Sequence, residues 1–344
     1  MGSQGPSKRL FCLACSKPAR LCLCSRFESP PIDNAIGVTI LQHSLEVSHP
    51  LNSTRIAKLG LKNLSLFHVT DVNFQARFLI RPLEPSRGSG SSSTTRDARV
   101  RSNFSAAQTA ISGDSGQRAV GLCENGECGG GIKNSELVET EKLDLDGTGE
   151  IPIVTVDKCQ VACSPSEIKI TIQRAAKPSI NSVLGTPVGR EATSNGFMVA
   201  KLQRKQLRGG EEFQDFQEYE ITIPPGSAVL FPYEKSISLD AVDFEVKHLV
   251  VLDGTWAKAK RMYHENPWLK LLPHLKLDPG KESLYSEVRH QPKAGCLSTI
   301  ESIVCALKGL GNDVGGLDNL LDVFESMIRD QRNCKDEKFR AMAQ

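Results

Sequence analysis

A chain of 344 residues with 39% hydrophobic content can hold one large domain or two ordinary ones around a real core. Its formal net charge of only +2 excludes bulk charge as the basis of nucleic-acid binding, which would have to come from local clusters. No apolar run approaches the ~20 residues that span a bilayer. The opening MGSQGPSKRLFC lacks the apolar stretch of a secretory signal, and Pro6 breaks the myristoylation pattern. The 11 cysteines then point to thiols and metal ligands in a reducing compartment, cytoplasmic or nuclear.

Taken in chain order, the first element is a C-x2-C-x6-C-x-C cluster, Cys12, Cys15, Cys22 and Cys24, within residues 1–30. Four thiolates in so short a loop match a tetrahedral zinc site that would supply the folding energy the loop lacks. Lys17, Arg20 and Arg26 around it would offset the negative charge of such a site. The α/β domain starts with a strand over 37–44 (GVTILQHS), which ends in Gln42 and His43, with Glu46 just beyond. A short helix around 55–58 stopped by Gly60, then a strand over 63–69, give the strand–helix–strand order of a parallel sheet. Residues 83–150 are rich in Ser, Gly, Thr and charge without apolar periodicity, which predicts a disordered insertion. Cys123 with Cys128, and Cys159 with Cys163, read as free thiols.

Order returns by 151–156 and at 167–173 (EIKITIQ), whose alternation fits a strand, whereas 178–215 is ambiguous. Strands over 219–223 and 228–232 flank the turn at Pro224, Pro225 and Gly226, and the second delivers Pro232, Tyr233 and Glu234 to its carboxyl end. The stretch His248–Trp268 follows, an apolar run and then Asp253-Gly254-Thr255-Trp256. The run reads as a buried strand, Gly254 as its turn and Thr255 as a helix cap. Asp253 therefore falls at a strand's carboxyl end, where open α/β sheets bind ligands. Trp256, Lys260 and Tyr263 share one face of the helix, with Lys258 and Arg261 turned elsewhere. Leu271–Asp278 is short and apolar, and Arg289 and Lys293 flank a proline. Ser298 and Glu301 form a capping box before an apolar helix, and Leu317 to Ile328 keep helical spacing in a last helix. The main domain would run over 31–82 and 151–333, with a polar tail over 334–344.

The cysteine cluster, LQHSLE, HPLNSTR, VLFPYE, LDGTW and RHQPKAGCLSTIE stand in the order and spacing of the DTW-domain family, which the chain resembles over nearly all of 10–310 outside 83–150 and the ambiguous stretch. Ser44 departs from the pattern, where proline is expected after the histidine. The resemblance implies a SPOUT-like knotted α/β fold, with a mostly parallel sheet and flanking helices. It also implies a tRNA-uridine aminocarboxypropyltransferase that uses S-adenosylmethionine and releases methylthioadenosine. On that reading Asp253, Thr255 and Trp256 would carry the chemistry. Gln42, His43, Glu46, Phe231, Pro232, Glu234, Arg289, Ser298 and Thr299 would hold the cofactor, with Arg289, Ser298 and Thr299 at its carboxylate. Lys258, Lys260, Arg261 and Lys270 would form a phosphate stripe for tRNA next to the site, and the four cysteines would hold a structural zinc. The competing readings are an RNA methyltransferase using the same cofactor and a non-catalytic zinc-dependent tRNA-binding module.

Replacement of 86–148 by a short Gly/Ser linker is expected to leave fold and activity largely intact, since closure entropy grows only slowly with loop length. Earlier melting or loss of cofactor binding in the shortened protein would show that the segment is structural.

Overall fold

The computed structural model describes residues 10–85, 154–156, 158–206, 212–278, 283–288, 295–311 and 315–342. The expected disordered insertion lies outside these from residue 86 to 150, as do Cys123, Cys128, Arg289 and Lys293. After the cysteine loop come β1 (Gly37–His43), α1 (Thr54–Gly60) and β2 (Leu64–Val69). A contiguous block then supplies β3 (Gln75–Pro82), β4 (Val154–Val156), β5 (Cys159–Cys163), β6 (Ile168–Gln173), α2 (Asn181–Leu184), α3 (Pro187–Asn195), β7 (Phe197–Gln206) and β8 (Phe213–Ile223). The chain continues through β9 (Ser227–Leu230), β10 (Ile237–Ser238), β11 (His248–Asp253), α4 (Trp256–His264), β12 (His274–Lys276), α5 (Thr299–Gly309) and α6 (Leu317–Met342).

Among the described residues the strands form two six-stranded sheets. One is parallel, in the order β10-β12-β9-β11-β1-β2, and the other is antiparallel, in the order β4-β5-β6-β3-β7-β8. The fold is thus α/β with a parallel sheet and flanking helices, as expected. The antiparallel sheet, built wholly from the block between β2 and β9, is a correction to a mostly parallel reading. Its polar core positions explain the omission. Along β7 the inward positions are Phe197, Val199, Lys201 and Gln203, so two of the residues that face the core are polar and the alternation is hidden.

The parallel sheet is covered on both faces, which is why β1 and β11 are apolar almost throughout. Leu41, Val229 and Val250 face a core shared with α4, α3 and the antiparallel sheet. Val38, Ile40, Leu249 and Val251 face a second core with α1, α5, α6 and the cysteine loop. The β1-to-β2 crossover runs over one face through α1, and α4 leaves β11 on the other face. The neighbours β1 and β11 therefore flank a topological switch point, with Gln42 beside Asp253 in register at its carboxyl edge.

Gly196 joins α3 to β7 at φ +79°, where a Cβ would stand 2.4 Å from the Ile223 carbonyl, so no side chain fits. The expected tail is helical as far as Met342 because α6 continues through it. No helix among the described residues is long and apolar enough to cross a membrane.

Where β2 ends, a buried polar node joins the two sheets. Lys201, fully buried, pairs with Glu218 at 2.7 Å. The same carboxylate accepts the Thr70 backbone N–H at 2.7 Å and the Thr70 hydroxyl. Lys201→Met strands a buried carboxylate, so unfolding in urea is expected to show a loss of about 3–5 kcal/mol. A loss under about 1 kcal/mol would mean that water relieves Glu218.

Candidate active site

The carboxyl edge of the parallel sheet carries two adjoining cavities. The larger, about 610 Å³, is walled by Leu230, Phe231, Pro232, Val251, Leu252 and Leu275, with Lys260, Lys276 and Asp278 among its polar lining. The smaller, about 110 Å³, is lined largely by polar groups, including Glu46, Asn52, Ser53, Asp253, Thr255, Ser298 and Thr299. Gly254, Trp256, Cys296, Leu297 and Thr299 border both.

Asp253 is buried and hydrogen-bonded on both oxygens. Gln42 Nε2 donates to Oδ2 at 2.7 Å, and the Thr299 hydroxyl donates to Oδ1. Gln42 also donates to Asn52 Oδ1 at 3.3 Å, and Asn52 Nδ2 donates to the Glu46 carbonyl at 3.1 Å. Glu46, 4% exposed, pairs through Oε1 with Lys258 Nζ at 2.9 Å. The first turn of α5 carries the complete capping box: Ser298 Oγ accepts from Glu301 N–H, and the Glu301 carboxylate accepts from Ser298 N–H at 2.7 Å. Trp256, half-buried, donates its indole N–H to Cys296 Sγ at 2.9 Å. Phe231 stacks on Tyr263 with centroids 4.5 Å apart, which stiffens one wall of the large cavity.

The structure brings together Asp253, Thr255, Trp256, Glu46, Phe231, Pro232, Ser298 and Thr299, all lining one or both cavities. Gln42 acts one layer behind, by holding Asp253. His43 faces neither cavity. Its Nδ1 accepts from Leu45 N–H, so Nε2 carries the proton and donates to Asp71 Oδ1 at 3.1 Å. Burial pushes the Asp71 carboxyl up, but hydrogen bonds from His43 and Arg261 outweigh it and hold the group below the usual carboxylate range. Glu234 is exposed and lines neither cavity, and Arg289 lies outside the described residues.

The basic stripe is only partly a stripe. Lys258 and Arg261 are ion-paired with Glu46 and Asp71, and Lys270 donates to the Pro178 carbonyl, with its pKa lowered by burial. Lys260 is exposed at the rim of the large cavity. Asn52, Ser53, Tyr285 and Cys296 were missed. Cys296 and Asn52 sat inside the motifs RHQPKAGCLSTIE and HPLNSTR, but nothing in their spacing marked them.

The four N-terminal cysteines meet as expected. Their Sγ atoms lie within 4.8 Å of one another, with Cys12–Cys24 at 3.7 Å and Cys15–Cys22 at 3.8 Å. A tetrahedron with Zn–S bonds of ~2.3 Å has edges of about 3.8 Å, so the set fits zinc. Backbone N–H groups of Cys15 and Ala14 bring the Cys12 thiol down to about 6, while burial pushes that of Cys24 up to about 12. A zinc ion at the centre would stabilise all four thiolates and brace the loop. The loop is not isolated: Lys17 donates to the Pro50 carbonyl at 2.8 Å, and Arg26 pairs with Asp330 of α6 at 2.6 Å.

Comparison with known proteins now bears on this site. Residues 182–332 match the DTW domain. The match takes in Asp253-Gly254-Thr255-Trp256 and the capping box of α5. The chain is 40% identical over 80 residues to a Drosophila melanogaster protein named tRNA-uridine aminocarboxypropyltransferase 2, covering 23% of this chain and 32% of that one. It is 29% identical over 111 residues to a Mus musculus protein of the same name, covering 30% of this chain and 37% of that one. A Macaca fascicularis protein, again of that name, is 30% identical over 111 residues, with 30% and 36% covered. The chain thus spans about a third of the length of these relatives. No solved structure matches it.

Elemental analysis of the purified protein is expected to find one zinc per chain, absent when Cys12, Cys15, Cys22 and Cys24 are all serine. Because Lys17 and Arg26 tie the loop to the site and to α6, chelation should lower the melting temperature by at least roughly 5 °C. Metal-free wild type with an unchanged melting curve would refute the structural role.

Proposed function

We propose that the protein transfers the 3-amino-3-carboxypropyl group of S-adenosylmethionine to N3 of a uridine in tRNA, giving 3-(3-amino-3-carboxypropyl)uridine and methylthioadenosine. The observation that carries this reading is the meeting, at the switch point, of a large apolar-walled cavity and a small acidic one around Asp253. The relatives' shared name supports it. A cavity of about 610 Å³ is of ordinary small-ligand size and accommodates the thioadenosine body of the donor, with Phe231, Leu230 and Leu275 against the adenine. Lys260 at its rim suits a tRNA phosphate.

The reaction forms an N3–carbon bond and breaks the carbon–sulfur bond, whose electron pair makes the sulfonium a neutral thioether. Positive charge leaves sulfur and builds on the N3–H as attack proceeds, and the proton must then depart. A carboxylate beside N3 lowers that barrier, whereas one beside sulfur would raise it. Asp253 is the group given this task. Both of its oxygens already accept a hydrogen bond, from Gln42 and Thr299, so orienting the imide is its larger share. Arg289 is retained for the donor carboxylate, because the Thr299 hydroxyl is spent on Asp253 and Ser298 Oγ on its cap. A SPOUT-type knot and a cytoplasmic or nuclear location belong to the same proposal.

Incubation of the protein with tRNA and S-adenosylmethionine, followed by nucleoside mass spectrometry, tests the reading. Methylthioadenosine and the enlarged uridine are expected. S-adenosylhomocysteine with a methylated base would mean a methyltransferase, and tRNA binding without any donor-induced thermal shift would mean a binding module. Asp253→Asn keeps shape, since the amide oxygen can accept from Gln42 and its NH₂ can donate to Thr299. Donor binding should persist while single-turnover transfer falls by roughly 10²–10⁴. Near wild-type transfer would reduce Asp253 to a turn residue.

A further inference from the structure

We infer that Tyr233 is a stacking residue for the tRNA base next to the target uridine, with Lys260 at the adjoining phosphate. This inference rests on the tRNA reading above. Tyr233 stands just beyond β9, two residues after Phe231 of the large cavity's wall, and itself lines neither cavity. It is 41% exposed, a large ring left on the surface. The ring is nevertheless held. Its centroid lies 5.5 Å from that of Tyr263 and 5.3 Å from that of His274, and these two side chains share a 2.9 Å hydrogen bond. Its turn is closed by Ser236, whose backbone N–H and hydroxyl both donate to the Tyr233 carbonyl, at 3.0 and 2.7 Å. A ring fixed in this way loses little freedom when a base settles on it.

Two exposed cations accompany the ring. Lys260 precedes Tyr263 by three residues on α4 and so shares its face, and Lys276 follows His274 by two in β12 and so shares its side of the sheet. Both line the large cavity, and neither has an ion pair among the described residues, unlike Lys258 and Arg261. Asp278, the carboxylate in the same lining, accepts from the Ser238 hydroxyl, and the exposed neighbours Glu234 and Lys235 cancel in charge. An exposed aromatic beside positive charge is the combination that holds a base and its phosphate in unpaired RNA. A uridine delivered to Asp253 has left its stack, and the base beside it has lost a partner. Tyr233 replaces that partner, joined to the cavity wall through Tyr263, on which Phe231 stacks.

Titration of the full chain with unmodified tRNA, and separately with S-adenosylmethionine, tests this. Tyr233→Ala is expected to weaken tRNA binding at least roughly fivefold and S-adenosylmethionine binding less than twofold, whereas Tyr233→Phe keeps the ring and stays within about twofold of wild type for both. Lys260→Ala should lower the slope of log affinity against log salt by about one, and Tyr233→Ala should leave that slope unchanged. Undiminished tRNA binding by Tyr233→Ala, equal losses for both ligands, or a Phe variant as weak as the Ala variant overturns the stacking role while wild-type transfer keeps the tRNA reading intact. An unchanged slope for Lys260→Ala overturns the phosphate contact. Wild type that binds no tRNA overturns the tRNA reading and this inference with it. Should Tyr233→Ala fold poorly, Tyr233→Trp decides: the emission it adds over wild type should be quenched by tRNA, and unquenched emission overturns the stack.

Discussion

The carboxylate of Asp253 accepts hydrogen bonds from Gln42 on β1 and from Thr299 at the start of α5. Three distant parts of the chain are thereby held to one pair of oxygen atoms in a buried setting, where each partner has few alternatives. Gln42 passes the constraint on through Asn52 to the loop that carries Glu46, and Glu46 passes it to Lys258 on α4. The positions of Asp253, Asn52, Glu46 and Thr299 in the small cavity follow from this chain of contacts. So does the wall that the cavity shares with the large one, since Thr299 borders both.

That network works only because the sheet beneath it is rigid. β1 and β11 are buried on both faces, between one core built with the antiparallel sheet and another built with α1, α5 and α6. The parallel ladder sets Gln42 opposite Asp253. The four-cysteine loop adds support from outside: Lys17 reaches the Pro50 carbonyl, two residues before Asn52. A metal distant from the chemistry can in this way still steady it.

Much of the fold was legible because local patterns agree with tertiary fate. The β1 and β11 runs, the Thr255 cap and the Ser298–Glu301 capping box all follow from short-range rules, and all appear where those rules put them. The antiparallel sheet was legible only in part: 167–173 and 219–223 read as strands, but β7 did not, for a physical reason. Lys201 and Gln203 occupy core positions of β7, where Lys201 pairs with Glu218 and the Gln203 amide nitrogen donates to Thr70, contacts that no period-2 pattern reveals. β3 escaped notice although Ala76, Phe78 and Ile80 alternate inward, because it adjoins a low-complexity stretch.

By itself the sequence determined that a zinc-type cysteine cluster opens the chain and that Asp253, Trp256 and Glu46 lie at element ends, where ligands bind. It also placed a capped helix at Thr299. Only the tertiary structure decided what those groups do to one another. It spent Thr299 on Asp253 and Lys258 on Glu46, turned His43 to Asp71, left Glu234 exposed, and divided the site into a large apolar and a small acidic cavity. The reason is that spacing along a chain fixes which face a side chain takes, whereas hydrogen-bond and ion-pair partners are set by long-range packing that no local pattern encodes.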